Sequence, residues 1–436
     1  MRWFVMVMAV AAWAQRTTPS PMIVKCGTLI QPHTRQVLKN VAIHVVNGKI
    51  LRVGPAAEVT APGAQLIDFG DKFVIPGLVD LHSHTYTQFL LGAWNTSNEN
   101  VPPFLLAAGV TTARAPGSMN PGADLAMRQR IDSGLMLGPR YHFAGEYIDL
   151  APSRIPWFNA STSSAEIRMK IDQWSAQGAT AIKLYTNMSG EPLHAAVAHA
   201  HQHGLKVVGH VDAVGWKEAM EAGVDELSHG LAALPEAGLK PPKWEGAEKV
   251  DWRTPKFAEI LKLAAQLRVV LTPTAAAFEN VKLDPAWRQF YGEEAWKSLT
   301  DLQSKKAWGI PDGFGVAQKE FIRAAYAAGC LLGTGTDHVI PVIPPGISLW
   351  RELEIFREAG LPPMDILHAA TWNGIFSIGE TDLLGTIEPG RLADFVALDA
   401  DPLTDIANVR RVYRVVKAGV VYEPAKILSG LKGTLR

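Results

Sequence analysis

Ile75-Pro76-Gly77-Leu78-Val79-Asp80-Leu81-His82-Ser83-His84 is the stretch on which the reading of the fold turns, because the rhythm of the chain changes there. Before it, Met22 to Ile75 carries short β-branched runs separated by turns. Val41 to Val46, Asn47-Gly48 and Lys49 to Val53 spell a two-residue hairpin, since Asn-Gly accepts the positive φ of a type I′ turn. After Pro76-Gly77, apolar strand-like runs alternate with helical stretches, which predicts a parallel sheet built from βα units. Within the stretch itself Val74 to Val79 reads as a strand, and His82 and His84 leave it on the same side. In a closed barrel that side can be the interior.

Working outward, Ser163-Ser164-Ala165-Glu166 resembles a capping box opening a helix that runs to Gln177, and Gly178 stops it before the strand Ala181 to Tyr185. The alternation continues with a helix at Leu193 to His203, a strand at Leu205 to Gly209, a helix at Lys217 to Ala222 and a strand at Val224 to Ser228. Further strands are expected at Val269 to Thr272 and Leu331 to Thr334. Trp244 to Pro255 and Asp284 to Gly315 read as insertions of loops and short helices over one face. After Leu384 the β pattern returns at Gly385 to Ile387, Asp394 to Leu398, Val412 to Val416 and Val420 to Tyr422. The expected architecture is α/β: a (β/α)8 TIM barrel over residues 77–383, with a small β-sandwich domain formed by the N- and C-terminal segments, residues 22–76 and 384–424.

With 436 residues, 47% of them hydrophobic and 19% charged, the chain can bury a large core. Lys plus Arg and Asp plus Glu number 42 each, so no net field draws it to nucleic acid or an anionic membrane, and the expected partner is a small molecule. A homo-oligomer is compatible with this composition. Cys26 and Cys330 read as buried thiols. Residues 1–14, from Met1-Arg2 through an apolar run to Ala12-Trp13-Ala14, resemble a secretory signal peptide, which predicts a secreted or periplasmic protein. No run elsewhere is long enough for a membrane span.

Four more polar residues occupy positions equivalent to the two histidines. Lys183 lies inside the apolar strand Ala181 to Tyr185, His210 follows Lys206-Val207-Val208-Gly209, His229 follows Glu226-Leu227-Ser228, and Asp337 follows Gly333-Thr334-Gly335-Thr336. Barrel enzymes place catalytic residues at these C-terminal strand ends. Each has an ordinary reading when taken singly: a snorkelling lysine, a satisfied core histidine, a capping aspartate. Six in such placement point instead to a metal centre. Tyr147, Asp149, Tyr185, Asn187 and His338 lie just after expected parallel strands, where loops line a pocket, and Tyr147, Tyr185, Asn187 and His338 are candidate substrate contacts. His194, His199, His201 and His203 read as the solvated face of a polar helix. Asn95, Asn159 and Asn187 match the N-glycosylation pattern.

These motifs resemble the amidohydrolase superfamily over nearly the whole chain. The resemblance rests on residues 75 to 84, on Gly109-Val110-Thr111-Thr112, and on Ala222-Gly223-Val224-Asp225-Glu226-Leu227-Ser228-His229-Gly230. Gly333 to Asp337, Ala369-Ala370-Thr371 and Gly385-Thr386-Ile387-Glu388-Pro389-Gly390-Arg391-Leu392-Ala393-Asp394 complete it. The resemblance implies two divalent metal ions, Zn foremost, with His82, His84 and Asp337 on one and His210 and His229 on the other. Lys183, carboxylated by carbon dioxide to a carbamate, would bridge them. A hydroxide shared by the ions would attack a carbonyl, with Asp337 as general acid/base.

Within the superfamily the residues are closest to the binuclear prolidase-like and imidazolonepropionase-related group. Mononuclear deaminases lack a bridging lysine and carry glutamate where this chain has Ala213. The loop from Asp149 to Asn159 lacks the Gly-Gly-His of prolidase-like members, which argues against Xaa-Pro specificity. The expected reaction is hydrolysis of an amide or peptide bond in a dipeptide or N-acyl amino acid. The alternatives are a cyclic C–N bond, as in imidazolonepropionase- or deaminase-like enzymes, or a non-catalytic binding protein on the same barrel.

Overall fold

The computed structural model describes residues 20–85, 99–153, 158–240, 244–279, 284–304, 310–338 and 344–435. The expected signal peptide and Asn95 lie outside them. The chain opens with β1 (Met22–Gln31), β2 (Gln36–Val46), β3 (Lys49–Pro55), β4 (Gln65–Asp68) and β5 (Phe73–Pro76). The hairpin forms as its dipeptide dictates: Val46 pairs with Lys49, and Asn47 and Gly48 take φ of 51° and 75°.

The parallel strands follow as β6 (Leu78–Asp80), β7 (Val110–Ala115), β8 (Arg140–Phe143), β9 (Tyr147–Ile148), β10 (Ala181–Leu184), β11 (Lys206–Gly209), β12 (Glu226–Ser228), β13 (Val270–Thr272) and β14 (Leu331–Leu332). The C-terminal strands are β15 (Phe395–Leu398), β16 (Val412–Lys417) and β17 (Val420–Tyr422). They join the N-terminal ones in one eight-stranded sheet of order β17-β16-β15-β5-β1-β2-β3, with β4 beside β1. The junction is antiparallel, Phe395 opposite Pro76 and Val396 opposite Ile75. Val24, Leu29, Ile43, Val74, Phe395 and Val416 share its buried core, so residues from both ends of the chain remove one another from water.

The two ends of the chain, expected to meet in one β-sandwich, do share a β unit, and the β5–β15 junction carries the hydrogen bonds through as one sheet. One feature departs from expectation here. Gly385 to Ile387 is not a strand: Gly385 takes φ 91°, and the Gln31 side chain substitutes for a neighbouring strand. Its Nε2 donates to Ile387 O at 2.7 Å while Ile387 N donates to its Oε1 at 3.1 Å.

Gly77 shows why the opening stretch is decisive. A Cβ there would sit 1.9 Å from Thr111 Oγ1, so only glycine lets the chain pass from the composite sheet into β6. The parallel strands then run in chain order, in two sheets, β6-β7-β8 and β9 to β14. They do not close as one ring of ladders. The break between β8 and β9 falls at Gly145, φ 76°, whose missing Cβ would strike the Trp174 ring at 2.4 Å. At the other seam β14 is short, because Gly333 to Asp337 leaves the ladder on its way to Asp337 at φ 45°. Hydrogen bonds still cross that seam, Leu81 N to Thr334 O at 2.9 Å and Asp337 N to His82 O at 2.7 Å. Buried Asp80 accepts there from His82 N (3.2 Å), Thr336 N (3.1 Å) and Thr336 Oγ1 (2.8 Å).

The helices between strands follow their caps. Ser163 accepts from Glu166 N at 3.3 Å to start the helix Ser164–Ala176, but Glu166 returns its bond to Thr162 N rather than to Ser163. Among the described residues no helix is long and apolar enough to cross a membrane.

On the helix Ile347–Glu358, buried Glu352 accepts from Ala276 N at 2.7 Å, and burial pushes its carboxyl from 4.5 up to about 8. The folded state therefore holds this proton more tightly than the unfolded chain. The resulting stability is fully present below pH 4.5 and is lost as pH rises toward about 8. Glu352→Gln imitates the protonated acid. Its unfolding midpoint should rise relative to the wild type as pH goes from 5 to 8, and a pH-independent difference would refute the assignment.

Candidate metal centre

His82 and His84 lie just beyond β6, aimed at Asp337. His84 Nε2 is 3.4 Å and His82 Nε2 3.9 Å from Asp337 Oδ1. His229, at the end of β12, places Nδ1 3.6 Å from Asp337 Oδ2 and 3.1 Å from Thr274 Oγ1. His210, at the end of β11, adjoins it with ring centroids 4.5 Å apart, and its Nε2 is 3.5 Å from Asp212 Oδ1. Lys183 is buried on β10 and donates to Ser228 Oγ at 3.0 Å. His229, Asp337 and Thr274 hold φ of 70°, 45° and 49°, so left-handed backbone concentrates around this cluster.

Burial dictates the protonation states. It pulls His82 and His229 well below the ordinary histidine range and His84 down to about 3, with the Lys183 charge adding to the effect. These imidazoles are neutral at pH 7, the form that coordinates metal. Burial also brings Lys183 down to about 7, against the opposing pull of Glu226 and Asp337. It lifts Asp337 to about 7, against Lys183. Ligand atoms of His82, His229 and Asp337 lie within 4.8 Å of one another, and buried His82 Nδ1 has no hydrogen-bond partner among the described residues. Neutral nitrogens converging on a carboxylate are the donor set that a Zn-class cation takes.

Aromatic side chains flank the cluster. On one side Tyr147 stacks on Phe158 (4.6 Å, 13°) and meets Tyr185 edge-on at 5.1 Å, and Tyr185 reaches His210 at 4.9 Å. On the other, Phe278 lies 6.1 Å from His229 and 5.4 Å from Trp244. His338 is buried beside Thr336, Nδ1 to Oγ1 3.1 Å, and its Nε2 has no partner among the described residues. Asn187 does not stand toward this space. Its amide donates to Leu150 O (3.3 Å) and Pro152 O (2.5 Å), so it fastens the loop after β9 instead of offering itself to substrate. Asp149 serves the same loop, accepting from Leu150 N, Asn187 N and Ser153 Oγ.

Sequence reasoning missed Phe158, Phe278, Thr274, Ser228 and above all Gly117. The Gly117 carbonyl accepts from His84 Nδ1 at 3.0 Å, which leaves Nε2 bare for a metal. A Cβ on Gly117 would lie 2.7 Å from the Tyr147 ring and 3.0 Å from Lys183 Cγ. Gly117→Ala should therefore displace both neighbours, lowering kcat/KM by about 10- to 100-fold with little change in melting temperature. Unchanged kinetics would remove Gly117 from the site.

A parallel α/β fold with imidazoles, a lysine and a carboxylate gathered at its strand ends fits a class, the hydrolases that act on carbon–nitrogen bonds. The profile of the amidohydrolase family matches residues 73–422, and the chain belongs to that family. Among curated relatives, an adenine deaminase of Paracoccus denitrificans is 33% identical over 76 residues, 17% of this chain and 13% of that enzyme. Ochratoxinase of Aspergillus niger is 29% identical over 128 residues, 29% of this chain and 25% of that enzyme. The matches thus span a quarter or less of these relatives. Among solved structures, a Xaa-Pro dipeptidase with bound methionine superposes with TM-score 0.70 at 23% identity, covering 93% of this chain and 100% of that one. The A. niger ochratoxinase structure does so with TM-score 0.70 at 19% identity, covering 93% and 96%.

Proposed function

We propose that this protein hydrolyses an amide or peptide C–N bond in a small substrate, a dipeptide or N-acyl amino acid, with two divalent ions, Zn foremost. The observation that carries the reading is the convergence of His82, His84 and His229 on Asp337 beside a buried lysine poised near neutrality. His82, His84 and Asp337 would hold one ion and His210 and His229 the other. Lys183 would join them as a carbamate, formed when its neutral amine adds to carbon dioxide and releases a proton. When bound, the ions supply a hydroxide nucleophile at neutral pH and polarise the substrate carbonyl.

Asp337, at the strand end beside the histidines, would take a proton from the attacking water and return it to the leaving nitrogen. The Tyr147, Phe158 and Tyr185 wall supports an apolar or aromatic group next to the scissile bond. The same reading takes the parallel strands as a (β/α)8 barrel, the composite sheet as a curled sandwich, and residues 1–14 as an export signal.

A deaminase reading has a specific observation behind it, the adenine deaminase match. Against it stand Ala213 in place of an acid and the buried Lys183. The test is turnover of the metal-loaded enzyme on N-acyl amino acids and dipeptides with aromatic and small residues, against adenine. Release of an amino acid that is lost with chelator and restored by Zn2+ is expected. Ammonia release from adenine without amide hydrolysis would overturn the proposal.

A further inference from the structure

We propose a second metal site, on the surface and separate from the strand-end cluster, formed by Asp172, His199 and His203. His199 and His203 stand one turn apart at the end of the helix Gly190–Gln202, and Asp172 lies on the neighbouring helix Ser164–Ala176. The sequence alone reads these histidines as a solvated face. The structure turns both toward one atom: His199 Nε2 is 2.7 Å and His203 Nε2 2.9 Å from Asp172 Oδ1. The rings lie 4.9 Å apart at 68°, edge to face, and the three ligand atoms fall within 4.8 Å of one another.

Two imidazoles at i and i+4 form a short chelate already ordered by the helix. A carboxylate from a second element completes three protein ligands and leaves the open side to water. Donors around a tetrahedral Zn2+ at about 2.0–2.2 Å stand roughly 3.4 Å apart, so small side-chain rotations open the cluster to the ion. The outer contact also fits. Ser175 Oγ lies 3.4 Å from His203 Nδ1, where it can accept the ring proton and fix the tautomer that bares Nε2.

The ligand class is a borderline divalent cation, Zn2+ or its neighbours, because a two-imidazole, one-carboxylate set disfavours Ca2+ and Mg2+. Its effect would be to staple the two helices. The other histidines of this helix take no part: His201 bonds Asp225 on the opposite side at 2.9 Å, and among the described residues His194 is not in the ligand group.

The test is equilibrium dialysis of the full-length protein against Zn2+, with bound metal counted by elemental analysis. The wild type should bind one equivalent more than His199→Gln/His203→Gln, with amide hydrolysis the same in both. Asp172→Asn should weaken the extra equivalent, whereas His194→Gln should keep it. Excess Zn2+ should raise the melting temperature of the wild type above that of the double variant, since an ion bound only to the folded state stabilises it. Equal stoichiometry in wild type and double variant would overturn the site. So would an equal loss in His194→Gln, which would mark a diffuse histidine-rich surface.

Discussion

Lys183→Arg is expected to fold, to bind about one metal ion instead of two, and to lose turnover by at least about a thousandfold. The last figure corresponds to the several kcal/mol that a metal pair supplies to the transition state. The argument starts from burial. Lys183 is 1% exposed on an apolar strand, and among the described residues its ammonium donates to Ser228 Oγ at 3.0 Å. An ammonium there has lost its water without gaining a paired carboxylate, and its pKa falls to about 7. A large fraction is then neutral amine at physiological pH, and only that form adds carbon dioxide. Arginine keeps the charge but stays protonated and cannot form a carbamate. Lys183→Ala should behave alike, with part of its activity restored by short carboxylic acids that supply bridging oxygens. Two bound metals and near-normal turnover in Lys183→Arg would make Lys183 a charge contact and end the bridging role.

The residues that could be read in advance share a property: each is anomalous within its own few residues. His82 and His84 stand out because strand period puts both on one side of an apolar run, and Lys183 because a cation sits inside one. The order of the parallel strands was legible for a similar reason, from caps and glycines at fixed places such as Ser163 and Gly178. What was illegible depends on contacts between distant segments. Gly117 matters only because His84, Tyr147 and Lys183 surround it, and Thr274 only because His229 reaches it. Gln31 replaces a strand at Ile387, 356 residues away, which no local pattern announces. Asn187 looked like a pocket residue by position, and its loop claims both amide protons. Left-handed backbone at His229 and Asp337 likewise follows from tertiary packing: both types tolerate it better than most, but few histidines or aspartates adopt it, and nothing local singles out these two.

Arg114 and Glu226 are another pair of this kind, 112 residues apart, and carry the largest expected effect on stability. Arg114 on β7 and Glu226 at the start of β12 meet inside the parallel sheets, Nη2 to Oε2 2.5 Å, with side chains 1% and 0% exposed. Ser377 donates to the same oxygen, and Arg114 Nη1 and Nε reach Ser377 Oγ (3.3 Å) and Leu81 O (3.2 Å). Glu226→Gln removes the counter-charge and strands a guanidinium that cannot shed its proton, so unfolding free energy should fall by about 3–5 kcal/mol. Arg114→Met should cost less, because a buried carboxyl can take up a proton when its partner is gone. Arg114→Met/Glu226→Leu should recover most of the loss, since both desolvation penalties disappear together. Stability is only half of the consequence. Leu81, whose carbonyl Arg114 holds, precedes His82, and the pair's charges act on Lys183 in opposite directions. The double variant should therefore regain its denaturation midpoint without regaining full kcat. A Glu226→Gln protein within 1 kcal/mol of wild type would show that the pair is not what holds the interior together, and full activity in the double variant would confine it to folding.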